Sequence, residues 1–245
     1  MKALQDHYFA IIQTFRFWIN GKFLLFFIPG ILISTAYILY LQQLSSYSTY
    51  IDYLDYIPWI GSYLKTGADF LYGWLEGLSL FLYQFLIISV LSPFHTILSE
   101  KIDNEITNQD FRNGWDKIIT DIVRTLGVVI LGGIFYLVLK LLWMLFAWIL
   151  GISFLNPYVS IILIAFFTGF NSYDYSLERY SISVFQSWKF ARKHILHMVL
   201  TGLIFTSLIY IPFAGVVIAP VFLTTVGTIC FLRIKKRNEE VGVNS

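Results

Sequence analysis

The chain has 245 residues, of which 57% are hydrophobic and 13% are charged, with a formal net charge of +2 and a mean hydropathy of +0.69. Because an average soluble domain carries about 25% charged residues, this composition excludes a soluble globular protein, whose surface could not be covered. The single cysteine, Cys230, excludes an intrachain disulfide and a cysteine-rich metal site. The sequence predicts an all-α integral membrane protein, with one membrane domain over residues 1–245.

Two apolar runs in the first part of the chain predict long transmembrane helices. Phe23–Leu41 contains no charged residue over 19 positions, and Gly77–Phe94 follows Glu76 and stops near Pro93. About 20 apolar residues in a helix cross the hydrocarbon of a bilayer. The first run is therefore the best single span, and the second is long enough with its flanks.

The later apolar runs come in pairs that are joined by uncharged turns. The pairs are Leu126–Leu155 with Tyr158–Phe170, and Met198–Ile211 with Val216–Leu232. An uncharged turn can stay inside the membrane if protein covers its backbone groups. Each pair therefore predicts a helical hairpin, and hydropathy leaves open whether the hairpins cross the bilayer or penetrate only partway.

Two segments between these runs, near 96–125 and 181–197, have the periodicity of amphipathic helices. In the first segment, apolar residues recur every four positions: Leu98, Ile102 and Ile106. In the second, an apolar stripe that includes Trp188 lies opposite three cations: Lys189, Arg192 and Lys193. A basic face of this kind suits anionic lipid, and a solvated charged face is the alternative.

The basic residues predict the topology. Fifteen of the 17 Lys and Arg residues fall in Met1–Lys22, His95–Arg124, Asn171–His194 and the basic tail 233–245, whereas Gln42–Asp69 holds only Lys65. By the positive-inside rule, both termini and the amphipathic segments face the cytoplasm. We therefore expect a multi-pass protein of a bacterial-type inner (plasma) membrane.

Motifs of soluble enzymes are absent from the sequence. It contains no phosphate-binding G-x-x-x-x-G-K-[ST] loop and no H-E-x-x-H zinc motif. His194 and His197 lie three positions apart, but two histidines without a third ligand make a weak metal site, and a place at the membrane interface is the simpler interpretation. We expect no catalytic residue, metal, cofactor or nucleic-acid partner, and an intramembrane lipid enzyme ranks last among the functions.

Charged residues in or near the apolar runs are candidates for a transport pathway, because charge in hydrocarbon is costly and usually faces protein or water. These candidates are Glu76, Glu100 and Lys140. For Lys140, snorkelling or a break between two short helices is the alternative. The small-residue pairs Gly73/Gly77 and Ala165/Gly169 predict close helix packing.

Three stretches of the sequence carry a resemblance to a known family. They are Ser92–Glu100 running on to Thr107, Tyr173–Tyr175 leading to Phe190–Lys193, and Ile211-Pro212 followed by Ala219–Val221. In this order they resemble the CysZ sulfate permease family and its etoposide-induced-protein homologues. The resemblance implies two long membrane helices, two hairpins that penetrate only partway, homo-oligomers, and sulfate uptake for cysteine synthesis.

One departure from the resemblance concerns sulfate binding. In the sulfate permeases, a glycine near the start of the first long helix precedes adjacent arginines that are associated with sulfate. Here Gly21 matches the glycine, whereas Phe23 and Leu24 occupy the arginine positions and Lys22 retains one positive charge. The predicted anion-binding residues are therefore Gly21 and Lys22, although losing a guanidinium pair weakens oxyanion recognition.

These observations favour a membrane permease for a small solute, for which an inorganic anion such as sulfate is a candidate. The alternative is a non-transport scaffold or envelope-assembly protein that docks partners through its amphipathic helices. The expected partners are the lipid bilayer, a small anion and further copies of the chain.

Overall fold

The computed structural model describes residues 2–56, 58, 61–70, 72, 91–108, 115–211 and 214–243. These residues form helices and turns, without a β-strand among them, so the predicted all-α class is confirmed. Contacts between Cα atoms group the chain into two compact units, Met1–Phe27 with Ser92–Ser245, and Ile28–Leu91. The single-domain organisation stays a prediction.

Most of the described residues lie in α-helices. In chain order they are α1 (Lys2–Ile19), α2 (Phe27–Asp52), α3 (61–70), α4 (Ser92–Thr107), α5 (Trp115–Ile149), α6 (Asn156–Arg179), α7 (Val184–Lys193), α8 (Ile195–Ile209) and α9 (Ala214–Val243). Short 3₁₀ turns cover Leu24–Phe26, Tyr53–Tyr56 and Ser153–Leu155.

Three helical segments in the described residues are long and apolar enough to cross a membrane. They are Ile130–Ile149, Ser153–Arg179 and Val217–Glu240, while Lys2–Ile19 and Leu24–Tyr40 pass the same test only as a bent pair. The most apolar stretch of each segment differs in burial: 11% of it is buried in Ile130–Ile149, 17% in Ser153–Arg179 and 83% in Val217–Glu240. The α9 helix is therefore the interior helix, whereas α5 and the first half of α6 present apolar side chains outward, as lipid-facing helices do.

The predicted hairpins are present, and their arms differ in length. Both arms of the first hairpin, α5 and α6, are long enough to span. In the second hairpin, α8 has 15 residues and α9 has 30. The α5 helix continues without interruption through Lys140, so the alternative of two short helices at this position is wrong. Most of the predicted span Gly77–Phe94 lies outside the described residues.

The α6 and α8 helices touch backbone to backbone through small residues. A Cβ atom on Gly169 would stand 1.9 Å from the carbonyl oxygen of Met198, and one on Gly202 would stand 1.8 Å from that of Ala165. The packing role of the Ala165/Gly169 pair is thus confirmed within one chain. The Gly73/Gly77 pair lies outside the described residues.

The amphipathic segments lie on different helices. Residues 96–107 belong to α4, and 115–125 begin α5. Leu98 and Ile102 of the predicted stripe are fully buried, but Ile106 is 39% exposed. The second segment covers α7, whose first turn is closed by a capping box of Ser183 and Gln186, and the beginning of α8.

In the smaller unit, the end of α2 and the turn after it carry carboxylates that pair with one lysine. The Lys65 ammonium lies 3.0 Å from Asp52 and 2.9 Å from Asp55. Both carboxylates favour the charged form of Lys65 and raise its pKa. These residues belong to the segment Gln42–Asp69, in which Lys65 is the one Lys or Arg.

Candidate functional site

A polar stripe on α4 faces the interior of the larger unit. Its members recur every four residues along one side of the helix: His95, Ser99, Asp103 and Thr107. Ser99 and Asp103 are fully buried and His95 is 6% exposed. Their neighbours are the second half of α6, which is buried almost all round, and the interior helix α9.

Hydroxyl groups from three helices meet at the middle of this stripe. The Thr228 hydroxyl lies 2.8 Å from the Ser99 hydroxyl. The Ser176 hydroxyl lies 3.1 Å from Ser99 and 3.4 Å from Thr228. One α9 turn away, the Thr224 hydroxyl lies 3.1 Å from Nδ1 of His95. Four small hydroxyl side chains therefore line the α4–α6–α9 contact, and each can both donate and accept a hydrogen bond.

Next to the hydroxyl groups lies a buried ion pair. Nε of Arg179 stands 3.1 Å from Oδ2 of Asp103, and Nη2 of Arg179 donates to the Ser99 hydroxyl at 3.1 Å. The Tyr180 hydroxyl donates to the same Asp103 oxygen at 2.8 Å. The Asp103 carboxylate is thus fully engaged, as a buried charge requires.

Burial sets the protonation of the groups at both ends of the stripe. Loss of solvation lowers the pKa of His95 to about 4, so this imidazole is neutral at physiological pH. Burial and the Asp103 carboxylate raise the pKa of Tyr180, so its hydroxyl stays a donor. Beside Tyr180 a cavity of about 330 Å³ opens between α9 and the connection that follows α6, with Lys235 and Phe231 on its wall.

A second buried cluster holds the beginning of α5 against α6 and α7. Nη2 of Arg124 lies 3.2 Å from Asp174 and donates to the Ser187 hydroxyl at 3.1 Å and the Ile182 carbonyl at 3.0 Å. Its Nη1 lies 3.5 Å from Glu178. One guanidinium therefore serves two carboxylates that are spaced four residues apart on α6.

A third cluster attaches α1 to α8 and α9. The buried carboxylate of Asp6 accepts from Nε of Arg233 at 2.9 Å, from Nη2 of Arg237 at 2.6 Å, and contacts Nε2 of His197 at 3.0 Å. His197 is 7% exposed. Its side chain is a structural partner of Asp6 in the interior, which sequence spacing alone does not predict.

The predicted anion-binding residues lie in the turn between α1 and the first 3₁₀ turn. Gly21 has φ +72° and Phe23 has φ +66°, the left-handed region that glycine adopts without strain. The Lys22 ammonium forms an ion pair with Glu105 of α4 at 2.5 Å. The turn is thus placed beside the half of α4 that carries Asp103, and the role of Gly21 and Lys22 in anion binding stays a prediction.

Two of the three pathway candidates lie on described helices. Lys140 lies on α5, with its ammonium 5.6 Å from the centre of the Tyr136 ring. Glu100 is half-buried on α4, one residue after Ser99. Glu76 lies outside the described residues. The roles of these three residues in a transport pathway stay predictions.

The sequence pattern alone does not identify the buried polar residues. Asp103 belongs to the charged side of an amphipathic helix, and Arg124 and Arg179 enter only the distribution of basic residues that predicts the topology. A signal does exist for part of the stripe. Ser99 and Asp103 each follow a residue of the predicted apolar stripe, Leu98 and Ile102, and keep the same four-residue period. This period is compatible with a buried helix face that includes both the apolar pair and the polar pair.

The site combines hydroxyl donors with a guanidinium in a buried environment, which is the chemistry that recognises an oxyanion. Within the described ranges, no group of three or more His, Cys, Asp or Glu side chains could hold a metal ion.

No curated protein matches the chain. The model of one family, described as sulfate transporter CysZ/etoposide-induced protein 2.4, matches residues 9–220, which include the polar stripe and the hydroxyl groups except Thr224 and Thr228. Together with the candidate spans, the match identifies a multi-pass membrane protein with a sulfate transporter-like role. The chain belongs to the sulfate transporter CysZ/etoposide-induced protein 2.4 family.

Proposed function

We propose that the protein is a permease for a small inorganic anion, with sulfate as the first candidate substrate. The observation that carries this proposal is the connected polar chain on α4, α6 and α9. It leads from Tyr180 and Asp103 through Arg179 to Ser99, and continues through the Thr228 hydroxyl, which donates to the Thr224 carbonyl at 2.8 Å.

The polar stripe extends along most of α4. His95 and Thr107 are 12 positions apart on this helix, so at 1.5 Å per residue the stripe is about 18 Å long. Polar residues inside membrane proteins usually mark ion or substrate pathways, because burying them without a function is costly.

The entrance that we propose lies at the end of the stripe near Asp103. At this end Lys22 pairs with Glu105 of α4. The Tyr180 hydroxyl donates to Asp103, and the cavity beside Tyr180 opens between α9 and the connection that follows α6. Since Glu105 neutralises Lys22 and Asp103 neutralises Arg179, an arriving anion competes with a carboxylate at both positions. We also keep Lys140 and Glu100 as candidate pathway residues, because each is a charged side chain next to an apolar surface.

The test is uptake of radiolabelled sulfate into proteoliposomes. Lys22→Ala is expected to slow uptake, whereas Lys236→Ala, which removes an exposed lysine near the end of α9, is expected not to. The double variant Ser99→Ala/Thr228→Val removes two hydroxyl donors and should reduce uptake by about tenfold or more, since even one hydrogen bond to a charged group contributes roughly 1.5–3 kcal/mol. Ser207→Ala is the matched control, because this exposed hydroxyl bonds only to the Leu203 carbonyl of its own helix.

Two results would contradict the proposal. Uptake equal to that of protein-free vesicles for sulfate, sulfite and related anions would favour the scaffold function. Equal effects of Ser99→Ala/Thr228→Val and Ser207→Ala would separate the stripe from transport. We further propose that both termini are cytoplasmic in a bacterial-type inner membrane, an orientation that the distribution of Lys and Arg supports; labelling of engineered terminal cysteines in intact cells tests it. The homo-oligomer that the family resemblance implies is also part of the proposal.

A further inference from the structure

The exposed side of α7 carries a compact group of cations. Lys189, Arg192 and Lys193 are all exposed, and Arg192 and Lys193 follow Lys189 by three and four positions, a spacing that places their side chains next to that of Lys189 on the helix surface. The helix contains no Asp or Glu. Among the described residues, none forms an ion pair with any of these three cations. We call these three residues the α7 basic patch.

Apolar side chains flank the α7 basic patch on the exposed surface. Phe185, one turn before Lys189, is 77% exposed, and Ile195 and Leu196 just after the patch are each 53% exposed. Exposed apolar residues beside a cluster of cations are typical of an interfacial helix. Such a helix inserts its apolar side chains between acyl chains and pairs its cations with lipid headgroups.

The opposite side of α7 fixes its depth relative to the spanning helices. The Trp188 ring packs 5.3 Å from that of Phe135 on α5 and 4.4 Å from that of Phe170 on α6, centre to centre. Phe135 lies in the second turn of the candidate span Ile130–Ile149. The α7 helix therefore packs beside the first turns of this span, close to one of its ends.

The attachment of α7 is also rigid. Arg124 of α5 donates to the Ser187 hydroxyl and to the Ile182 carbonyl, while Ser187 and Ala191 are fully buried. The basic patch is thus held in place before any ligand arrives, which lowers the entropy lost on binding.

From the charge, the flanking apolar residues and the depth of α7, we propose that the α7 basic patch is a binding site for the phosphate of an anionic membrane phospholipid. The site is separate from the polar stripe and does not depend on anion transport.

The test compares two lipids with identical acyl chains, phosphatidylglycerol and phosphatidylcholine. Native mass spectrometry of the full-length protein in detergent with an equimolar mixture measures which lipid is retained. Each Lys or Arg near an anionic surface strengthens the binding of a negatively charged headgroup. Together, the three cations predict that phosphatidylglycerol binds about 100-fold more tightly than phosphatidylcholine. The preference should decrease at high salt, because exposed charges are screened.

The variant K189Q/R192Q/K193Q should lose this preference and retain phosphatidylcholine as before. The matched control K2Q/R16Q/K236Q removes the same total charge from exposed positions on α1 and α9, and it should keep the preference. Protection of Cys230, which is fully buried, from a thiol reagent verifies that both variants are folded. Equal retention of the two lipids by the unmodified protein, or an equal loss in the control variant, would overturn the proposal.

Discussion

Replacing Gly202 with alanine tests the packing of α6 on α8. The added Cβ would stand 1.8 Å from the Ala165 carbonyl oxygen, 2.4 Å from its carbon and 2.6 Å from its Cα. All three atoms belong to backbone, so no side chain can rotate away. Since ordinary contact begins at 3.4 Å, the helices must separate by about 3.4 − 1.8 = 1.6 Å at this position.

The expected loss of stability follows from two opposing contributions. Alanine favours a helix over glycine by about 1 kcal/mol. Forcing extra volume into a closely packed contact costs typically 1–3 kcal/mol and more where backbone must move. Because a shift of about 1.6 Å also opens the neighbouring contact of Gly169 with Met198, we expect Gly202→Ala to destabilise the protein by about 2 kcal/mol. For a chain of this size that lowers the midpoint of unfolding by roughly 4–8 °C.

The single cysteine provides the assay. Cys230 is fully buried on α9, so a fluorogenic maleimide reacts with it only when the bundle opens, and the reaction during heating in detergent reports unfolding. The control is Gly133→Ala on α5, where a Cβ would meet nothing within 4 Å and helix propensity alone should stabilise. An unfolding midpoint of Gly202→Ala equal to or above that of Gly133→Ala would refute the close approach of α6 and α8.

Two further predictions concern the buried ionisable groups. Arg124→Gln leaves Asp174 and Glu178 without their guanidinium and should destabilise the protein by about 3–5 kcal/mol; neutralising both carboxylates in the same variant should restore most of the loss in the cysteine-protection assay. His95 is held neutral by burial, with a pKa lowered from 6.5 to about 4, so it binds a proton more readily when unfolded. Its contribution is therefore present above pH 6.5 and is lost as the pH falls from about 6.5 to about 4, a change of about 3 kcal/mol. Unfolding midpoints across this interval measure the loss, and a His95→Gln variant with the same pH dependence would contradict the assignment.

The apolar runs and their periodicity predict much of the fold, because the position of a helix depends mainly on the hydrophobicity of residues that are close together in the sequence. The hairpin α5–α6 and the amphipathic character of α7 follow from residues that are neighbours in the sequence. The uninterrupted α5 could not be predicted at Lys140, since a lysine in an apolar run is compatible both with a break and with a continuous helix whose ammonium lies over a tyrosine ring.

The polar interior could not be predicted in the same way, because its partners are distant along the chain. Ser99 meets Thr228 across 129 positions, and Asp6 meets His197 across 191 positions. A serine or aspartate on an amphipathic helix has the same local pattern whether it faces water or a buried hydroxyl. Only the packing of α4 and α6 around α9 decides between the two environments.

The interior charges balance differently in the three clusters, and the difference bears on transport. One arginine serves Asp174 and Glu178, whereas Asp6 has two arginines and a histidine. The Asp103–Arg179 pair is neutral as a unit, so an anion gains from Arg179 only where the carboxylate is displaced or removed.

Asp103→Asn separates these two contributions. Without the carboxylate, the buried guanidinium of Arg179 loses the partner that lies 3.1 Å from its Nε, and the protein should be destabilised in chloride buffer by about 3–5 kcal/mol. Sulfate should then replace the lost charge, since a ligand that binds only the folded state raises stability with its concentration. The unfolding midpoint of Asp103→Asn should therefore rise with sulfate more steeply than that of the unmodified protein. A sulfate response no larger than that of the unmodified protein would show that Arg179 is not accessible to anions, and the polar stripe would then be a structural feature of the α4–α6–α9 contact.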